Sequence, residues 1–326
     1  MQELLKIVHL IDDQSPGGVT RYLEFIARHP GMAAMARHEI LPVGRTRAAR
    51  AGIDADVIVS HLTLSWRGIP GLMGLRALYA GTPLIHVEHS YCERFAAARV
   101  TRRRRFHALL RCGYALFDRV VAVSAQQGAW LARTGCVPEG RLSVIPPCVA
   151  LDPMASLPAP DSAIRRIGAI GRLDAQKGFD LLIPAFRALP FPDVRLEIFG
   201  NGPQRAALEA LAGTDQRITF HGHVAPETAL ARCDAVVMPS RWEPFGLVAT
   251  EALAGGRPLL VSGADGLAGH AADGALQVPE FTEPRWTRAL NDLVTRPVRI
   301  RRLARETAEA RTLTGWMDLL EGLRAT

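Results

Sequence analysis

The 326-residue sequence predicts an α/β protein built from two Rossmann-like, doubly wound parallel-sheet domains that face each other across a cleft. Apolar runs of strand length recur along the whole chain and alternate with segments of helical spacing. The runs are almost continuously apolar, which is typical of parallel strands covered by helices on both faces. A proline-rich stretch, residues 146–163, interrupts this alternation and predicts the connection between the domains.

The first predicted domain comprises residues 1–150. Its strands are predicted at Leu4–Ile11, Ala55–Ser60, Pro83–Val87, Arg119–Val123 and Leu142–Ile145. Helical spacing follows at Thr20–Arg28 and Ala125–Thr134. Ligands of such sheets bind beyond the carboxyl ends of the strands, so Gly17-Gly18 and His89, which follow the first and third strands, are candidate site residues.

The second predicted domain comprises residues 151–311. Its strands are predicted at Arg166–Gly171, Val194–Phe199, Arg217–His221, Asp234–Met238, Pro258–Ser262 and Ala275–Val278. Phe179–Leu189 and Pro203–Leu211 have helical spacing. In Thr314–Leu323 the apolar residues recur at helical spacing, so residues 312–326 are predicted to form a helix that packs back on the first domain.

Composition narrows the class of protein. With 48% hydrophobic and 22% charged residues the chain is ordinary for a globular protein, and it contains no uninterrupted apolar run of membrane-spanning length. Its first residues lack the layout of a signal peptide, so a cytoplasmic protein is expected. The five cysteines are scattered and form no CxxC pair, which argues against a disulfide framework or a zinc site.

Positive charge is concentrated in the first domain. Residues 1–150 hold 19 Lys and Arg against 11 Asp and Glu, whereas the rest of the chain is close to neutral. Much of the excess lies between Arg99 and Arg111, in and around the run Arg102–Arg105, beside Phe95, Phe106 and Leu109. This segment predicts docking on an anionic membrane surface or an acidic acceptor, with a solvated basic face as the alternative. No nucleic-acid recognition pattern accompanies the run, so nucleic acid is not an expected partner.

The segment PSRWEPFGLVATEALAGGRP, residues 239–258, carries the most specific signal. Glu243 lies in a loop after a predicted strand, and Glu251 lies eight residues later inside a predicted helix. A helix N-terminus favours a phosphate, and carboxylates bind hydroxyls, so together they suggest a nucleotide sugar. Eight helical residues span on the order of 10 Å, more than the carboxyl separation of most glycosidases. Two solvated acids are the alternative interpretation.

Two cations follow the first strand of the second domain, in GRLDAQKGFD. Arg172 and Lys177 can clamp a diphosphate, the arginine through forked hydrogen bonds and the lysine as a compact charge. The chain has only two lysines, Lys6 and Lys177, which draws attention to the second. In the first domain Gly17-Gly18 permits close approach of a ligand to the backbone, although a Gly-Gly pair is more often only a turn.

Taken together, Gly17-Gly18, GRLDAQKGFDLL, FGNGP, ITFHGHV and EPFGLVATEALAGGRP resemble the retaining, GT-B-fold glycosyltransferases of glycosyltransferase family 4. The resemblance covers nearly the whole chain. It implies that Glu243 contacts hydroxyls of the donor sugar and that Glu251 binds the nucleotide ribose. It further implies that Arg172 and Lys177 hold the diphosphate.

Other roles are implied by the same resemblance. The backbone amides of Phe245, Gly246 and Leu247 would meet the diphosphate, and the loop at Gly17 and Gly18 would close onto it. His89 matches the family's active-site histidine near the sugar and the transferred bond. Of its neighbours, His86 is expected to be a packing residue, whereas His61 is weighed evenly between lining the site and structure.

The resemblance implies a retaining hexosyltransferase with no cofactor and no metal ion, for which the nucleotide-diphosphate sugar is the co-substrate. The acceptor would be a saccharide or a lipid-linked sugar of cell-surface polysaccharide or glycolipid biosynthesis, and the protein would be cytoplasmic or peripheral at the membrane. Two departures stand out: Pro146-Pro147-Cys148 replaces Asn-Gly, and Gly266-Leu267-Ala268-Gly269 lacks the acid of a Gly-x-x-Glu turn. The alternatives are a nucleotide-sugar epimerase or hydrolase of the same fold and a non-catalytic basic binding module.

Overall fold

A computed structural model describes residues 4–15, 17–160, 163–296 and 301–324. The described residues form two compact units. The first contains the residues up to Ala150 together with those from Glu309 onward, and the second runs from Leu151 to Ala308.

The first unit alternates strands and helices from its first strand onward. Its elements are β1 (Leu5–Ile11), α1 (Gly18–Arg28), α2 (Pro30–Met35), β2 (Ala36–Pro42), β3 (Val57–Ser60), α3 (Ile69–Leu78), β4 (Leu84–Glu88), α4 (Glu93–Arg99), α5 (Arg103–Tyr114), β5 (Arg119–Ala122), α6 (Ala125–Arg133) and β6 (Leu142–Val144). The strands form one parallel sheet in the order β2-β1-β3-β4-β5-β6.

The second unit repeats this plan. Its elements are α7 (Asp152–Ala155), β7 (Arg166–Ile170), α8 (Phe179–Arg187), β8 (Arg195–Phe199), α9 (Arg205–Ala212), β9 (Ile218–Gly222), α10 (Pro226–Ala231), β10 (Ala235–Met238), α11 (Leu247–Ala254), β11 (Leu259–Ser262), β12 (Leu276–Val278) and α12 (Glu283–Thr295), with a 3-10 helix at Asp265–Asp273. The sheet order is β12-β11-β10-β7-β8-β9, again parallel throughout. Two doubly wound parallel sheets confirm the predicted fold class.

Strand β2 was not predicted. It pairs in parallel with β1 over its whole length, from Ala36 to Pro42. Only Ala36 of its seven residues is buried, because β2 is the edge strand of its sheet. An edge strand lacks the continuous apolar run that identifies its central neighbours.

The last helix, α13 (Arg305–Arg324), also departs from the prediction, because it begins well before Thr314. Its first two turns, RETAEAR, are helix-forming but carry no apolar stripe. Further along, Trp316 is fully buried and its Nε1 donates to Tyr22 Oη of α1 at 2.9 Å, a contact inside the first unit. Residues 325 and 326 of the predicted segment lie outside the described part of the chain, as do residues 161 and 162 of the proline-rich stretch.

Each unit has its own apolar core beneath its sheet. In the first, Ile58, Leu84 and Val120 from three strands are almost fully buried. In the second, Ile167, Phe186 and Trp286 are buried in the same way. Among the described helices none combines the length and the apolar character needed to cross a membrane.

Candidate functional site

The loops that follow β7, β8 and β10 meet at the carboxyl edge of the second sheet. Gly178, with φ 69°, lies so close to the next loop that a Cβ would stand 2.1 Å from the carbonyl oxygen of Pro239. Gly200, with φ 138°, would place a Cβ 1.9 Å from the carbonyl oxygen of Gly171. Only glycine allows both the positive φ and the close approach to a carbonyl oxygen, so these two glycines determine how the three loops pack against one another.

Asp174 organises the loop after β7. One of its carboxylate oxygens accepts from the backbone N–H of Gln176 at 3.0 Å, and the other accepts from Arg172 Nε at 2.5 Å. The Arg172 side chain is nevertheless 69% exposed. Its guanidinium is therefore oriented by one carboxylate while it stays open to a ligand.

Lys177 and Glu243, from different loops, form an ion pair. Lys177 Nζ lies 2.5 Å from Glu243 Oε2, and their side chains are only 17% and 11% exposed. Ser240 Oγ donates to the same carboxylate oxygen at 3.3 Å. A cation assigned to the diphosphate and an acid assigned to the sugar are thus brought into direct contact.

A further clamp holds the loop of Glu243 from its other side. Arg241 forms two hydrogen bonds to the carboxylate of Asp180 in α8, at 2.7 and 2.6 Å, and its guanidinium lies 4.8 Å from the ring centre of Phe281. Burial raises the pKa of Asp180, but the hydrogen bonds and charge of Arg241 outweigh it and hold that pKa below its usual value. A fixed loop is expected to present Glu243 in a constant position.

The segment Phe245-Gly246-Leu247 leads into α11. Gly246 has φ 94°, and the first N–H groups of the helix that follows have no intrahelical acceptor. His270 Nε2 donates to the carbonyl oxygen of Phe245 at 3.0 Å, and the two rings meet edge to face at 4.9 Å. These contacts hold the turn at which the backbone amides are expected to meet phosphate.

Glu251 lies in the second turn of α11, and its side chain is completely enclosed by protein. Among the residues predicted to bind the donor, Glu251 has no exposed surface, whereas the Arg172 side chain is largely exposed. The predicted order of loop acid and helix acid is therefore present, and the two acids differ in their access to a ligand.

Asp265 is a neighbour of the site that the sequence did not single out. Its Oδ2 accepts from the backbone N–H of Glu243 at 3.3 Å, while Gly266 N donates to the Glu243 carbonyl oxygen at 2.9 Å. Asp265 has φ 43°, and no other described non-glycine residue adopts a positive φ. It stands directly before the departure Gly266–Gly269, so this turn carries an acid, although not at the position where the family has one.

In the first unit, Gly17 and Gly18 lie at the start of α1. Gly17 is the N-cap residue, with φ −168°, and Gly18 is the first helical residue. The preceding turn is held by Asp13, whose Oδ1 accepts from the backbone N–H and the hydroxyl of Ser15 at 2.9 and 2.6 Å. Both glycines are exposed, so the backbone is open to a ligand there.

His89 follows β4 and is partly buried. Its Nε2 lies 2.9 Å from His61 Nδ1, and the two rings stack at 5.2 Å. Burial lowers the pKa of His89 to about 4, although the charge of Glu88 opposes that shift. His61, for which the sequence left both a site-lining and a structural role open, therefore contacts the candidate active-site histidine directly.

His86 lies within β4, buried against the rings of Tyr114 and Phe117 at 5.5 and 5.0 Å. It packs in the core, as expected for a residue inside the strand.

Glu88 supports the turn that carries His89. Its carboxylate accepts from the backbone N–H groups of Ser90 and Tyr91 at 2.6 and 2.9 Å and from Tyr114 Oη at 2.7 Å. Burial raises the pKa of Glu88, but His86 and these donors outweigh it and keep that pKa below its usual value. A buried, ionised carboxylate thus fixes the backbone that directly follows His89.

Two more histidines, which were not predicted as site residues, extend the contact of His89 and His61. His61 Nε2 lies 3.0 Å from His9 Nδ1, and His9 Nε2 lies 3.0 Å from His38 Nδ1. The only sequence signal for them is their place on neighbouring strands, and β2 was not predicted.

The basic run between Arg99 and Arg111 lies on α4 and α5 and the turn between them. Arg102–Arg105 are exposed, and the Arg105 guanidinium lies 6.0 Å from the ring centre of Trp66, which is 41% exposed. The apolar side chains beside the run point inward: Phe95 and Phe106 pack with Tyr91, and Leu109 is buried. The charged side chains of the run are therefore the part of it that is open to a partner, and docking on an anionic membrane surface or an acidic acceptor stays a prediction.

Arg111, the last arginine of this segment, forms hydrogen bonds within the protein. Its guanidinium donates to the carbonyl oxygens of Gly135 and Thr134 at 3.0 and 2.8 Å and so holds the loop after α6.

Comparison with known proteins adds two family matches. A model described as "Glycosyl transferases group 1" matches residues 164–296, and one described as "Glycosyltransferase Family 4" matches residues 8–153. D-inositol 3-phosphate glycosyltransferase of Stackebrandtia nassauensis is 31% identical over 303 residues, which cover 80% of this chain and 65% of that protein. The chain spans less than two thirds of the length of the curated relatives it matches.

Solved structures share the fold. Sucrose-phosphate synthase of Thermosynechococcus elongatus superposes with a TM-score of 0.77 at 20% identity, over 98% of this chain and 99% of that one. HepE of Anabaena, solved in complex with UDP-glucose, superposes with a TM-score of 0.75 at 19% identity, over 99% of this chain and 100% of that one.

Proposed function

Since the chain belongs to the group 1 glycosyl transferases of glycosyltransferase family 4, we propose that it is a retaining glycosyltransferase that uses a nucleotide-diphosphate sugar. One observation carries the proposal. Lys177 and Glu243, predicted separately as diphosphate and sugar ligands, lie 2.5 Å apart at the carboxyl edge of the second sheet.

The donor's diphosphate is proposed to bind between Arg172, Lys177 and the amides that open α11. Breaking the sugar–phosphate bond places negative charge on the departing diphosphate. Two cations and a helix N-terminus stabilise that charge in the transition state, which is the task a metal ion performs in other transferases. Glu243 would hold hydroxyls of the sugar, and Glu251 the ribose.

Attack by the acceptor hydroxyl on the face that the diphosphate leaves would retain the configuration of the sugar. A phosphate oxygen would take the hydroxyl proton, so no carboxylate base is required. His89 is proposed to contact the transferred sugar, as the family resemblance implies. Its pKa of about 4 keeps it neutral at physiological pH, so it would act through hydrogen bonds rather than charge.

We propose a saccharide or lipid-linked acceptor, in the synthesis of a cell-surface polysaccharide or glycolipid. The exposed arginines of α5 support an anionic acceptor or membrane surface at the first unit. The protein would then work in the cytoplasm or at the cytoplasmic face of the membrane.

A panel of nucleotide sugars tests the proposal, with UDP-sugars tried first because HepE shares the fold and was solved with UDP-glucose. One donor, or its nucleoside diphosphate, should raise the melting temperature and support transfer to an acceptor. Lys177→Met should abolish both effects, whereas Lys6→Met, which removes the other lysine of the chain, should leave them intact. No response to the complete panel by a folded sample would contradict the proposal.

Product analysis without acceptor separates the remaining alternatives. Rapid release of an epimerised or free sugar would favour the epimerase or hydrolase, and a protein that binds no donor would favour the basic binding module.

A further inference from the structure

Four histidines of the first unit form one continuous chain of ring nitrogens. Their order is His89, His61, His9 and His38, and the three N–N distances are 2.9, 3.0 and 3.0 Å. Every link joins the Nε2 of one ring to the Nδ1 of another. The chain begins at the turn proposed to contact sugar and ends on the edge strand β2.

The sheet register explains why the rings meet. His38 is level with Ile7, two residues before His9, and His9 is level with Val59, two residues before His61. Ser60 is level with His86, so His89 again lies two residues beyond the level of His61. Side chains two residues apart share a face of the sheet, so the four rings form a diagonal row within reach of one another.

Burial keeps the row uncharged. It drives the pKa of His9 and His61 well below the usual value and that of His38 and His89 to about 4. From α1 the titratable group against the row is Tyr22, and α13 contributes the uncharged Trp316. The nearby groups of β4 are His86 and Glu88.

A neutral imidazole has one N–H donor and one acceptor nitrogen. Each link needs one of each, so all four rings must donate in the same direction along the row. Only two arrangements satisfy every link. Either each Nε2 carries the proton and His89 Nδ1 has a lone pair, or each Nδ1 carries the proton and His89 Nδ1 becomes a donor.

The far end of the row selects between the two. His38 Nδ1 is engaged by His9, and His38 Nε2 is buried without a full hydrogen bond among the described residues. The backbone carbonyl of Met32 interacts with this ring and partly offsets the lowering of its pKa by burial. A carbonyl oxygen can only accept, so it favours an N–H at Nε2 of His38, and the links then place an N–H at Nε2 of every ring.

We propose that His61, His9 and His38 are positioning residues that fix the tautomer of His89, with the proton on Nε2 and an accepting lone pair on Nδ1. His89 then offers its ligand a hydrogen-bond acceptor. Its tautomer is determined by His38 on the edge strand β2, three rings away. The ligand itself, a hydroxyl of sugar or acceptor, rests on the proposed function.

Nitrogen-15 NMR of histidine-labelled protein at pH 7.5 tests the tautomer directly, and the His89 signals are identified by their loss in His89→Phe. In the wild type the proton should reside on Nε2 of His89. In His61→Phe it should move to the open Nδ1, because a buried N–H without an acceptor is unfavourable. In His38→Phe the two remaining links should reverse, so the proton should move to Nδ1 of His89 there as well.

His107→Phe is the matched control, since His107 lies on α5 outside the row and its replacement should leave the His89 tautomer unchanged. A wild-type His89 protonated on Nδ1 would overturn the inference, as would a His38→Phe variant whose His89 keeps the proton on Nε2. Should His38→Phe fail to fold, the wild-type and His61→Phe spectra still decide.

Turnover separates this inference from the proposed function. The His38→Phe variant should lose about tenfold in kcat, the scale of one hydrogen bond, with an unchanged donor KM. A changed tautomer with unaltered turnover supports the inference and contradicts the role of His89. An unchanged tautomer in an active transferase overturns the inference alone.

Discussion

At the scale of single residues, the contact between Lys177 and Glu243 combines two functions. Both side chains are largely buried, so each charge depends on the other for stability. Both are also proposed donor ligands. A substitution that impairs activity could therefore act through the ligand or through the fold, and the two causes must be separated.

A double-mutant cycle separates them. Lys177→Met leaves the Glu243 carboxylate without its cation and should lower the free energy of unfolding by about 2 kcal/mol. Adding Glu243→Gln removes the stranded charge and should restore most of that loss, whereas transfer activity should stay absent in all three variants. Urea unfolding and a donor-turnover assay measure the two effects.

Lys6→Met is the control for the loss of a lysine, because the ion pairs of Lys6 lie at the surface, and it should stay close to wild type in both assays. Recovery of turnover together with stability in the double variant would show that the pair serves the fold only.

Site residues could be predicted from the sequence where they belong to a short motif with a recognisable spacing. Glu243 and Lys177 stand in motifs that the sequence displays, and the structure brings them together. Asp265, His9 and His38 gave no such signal, because their partners are distant in sequence and depend on loop packing and strand register.

At the scale of elements, the histidine row makes the first sheet sensitive to acid. An unfolded histidine takes up a proton near pH 6.5, whereas these four remain neutral in the folded protein to well below that pH. Their contribution to stability is therefore complete above pH 6.5 and is lost as the pH falls toward 4.

Between pH 6 and 5, the free energy of unfolding should fall with a slope of up to about 1.4 kcal/mol per pH unit for each ring. Urea unfolding at half-unit steps measures this slope. His38→Phe should give a slope shallower by about one ring's share, and His107→Phe should keep most of the wild-type slope. Stability that is flat across this range would contradict the shifted pKa values.

The same sheet shows how far elements could be predicted. Central strands were identified from their apolar runs, but β2 was missed because an edge strand is solvated along most of its length. The start of α13 was missed for a related reason, since its first turns carry no apolar stripe and only the later ones contain Trp316 and its buried neighbours.

At the scale of the whole molecule, the excess charge lies in one unit. Phe95 and Phe106 pack with Tyr91, and Leu109 is buried, so attraction of the run to an anionic surface should rest mainly on its charge. Such attraction amounts to about 1 kcal/mol for each basic residue near a membrane and is screened by salt.

We therefore expect sedimentation with anionic vesicles at low salt that is lost at about 0.5 M salt, where the screening length is a few ångströms. Replacing Arg102, Arg103 and Arg104 by serine should abolish it. Replacing the exposed Arg28, Arg37 and Arg50 instead removes the same charge elsewhere and should preserve most of the binding. Equal sedimentation with neutral and anionic vesicles would contradict a membrane role for the run.

The fold class was predictable from the whole chain, because two series of alternating strands and helices and a proline-rich interruption are visible in the sequence. The identity of the sugar and the acceptor was not, since recognition of either depends on loops whose shapes follow from contacts between distant segments, such as that of Asp265 with Glu243.

The scarcity of lysine, combined with the burial of Lys177, gives this protein an unusual surface chemistry. Lys6 and Lys177 are its only side-chain amines, and the second is held against a carboxylate. Among the side chains, reagents that acylate amines should therefore modify Lys6 and leave the donor loops untouched. Slow acylation of Lys177 would in turn report how fast its ion pair opens. The rate of this motion in the candidate site could then be followed by a simple mass measurement.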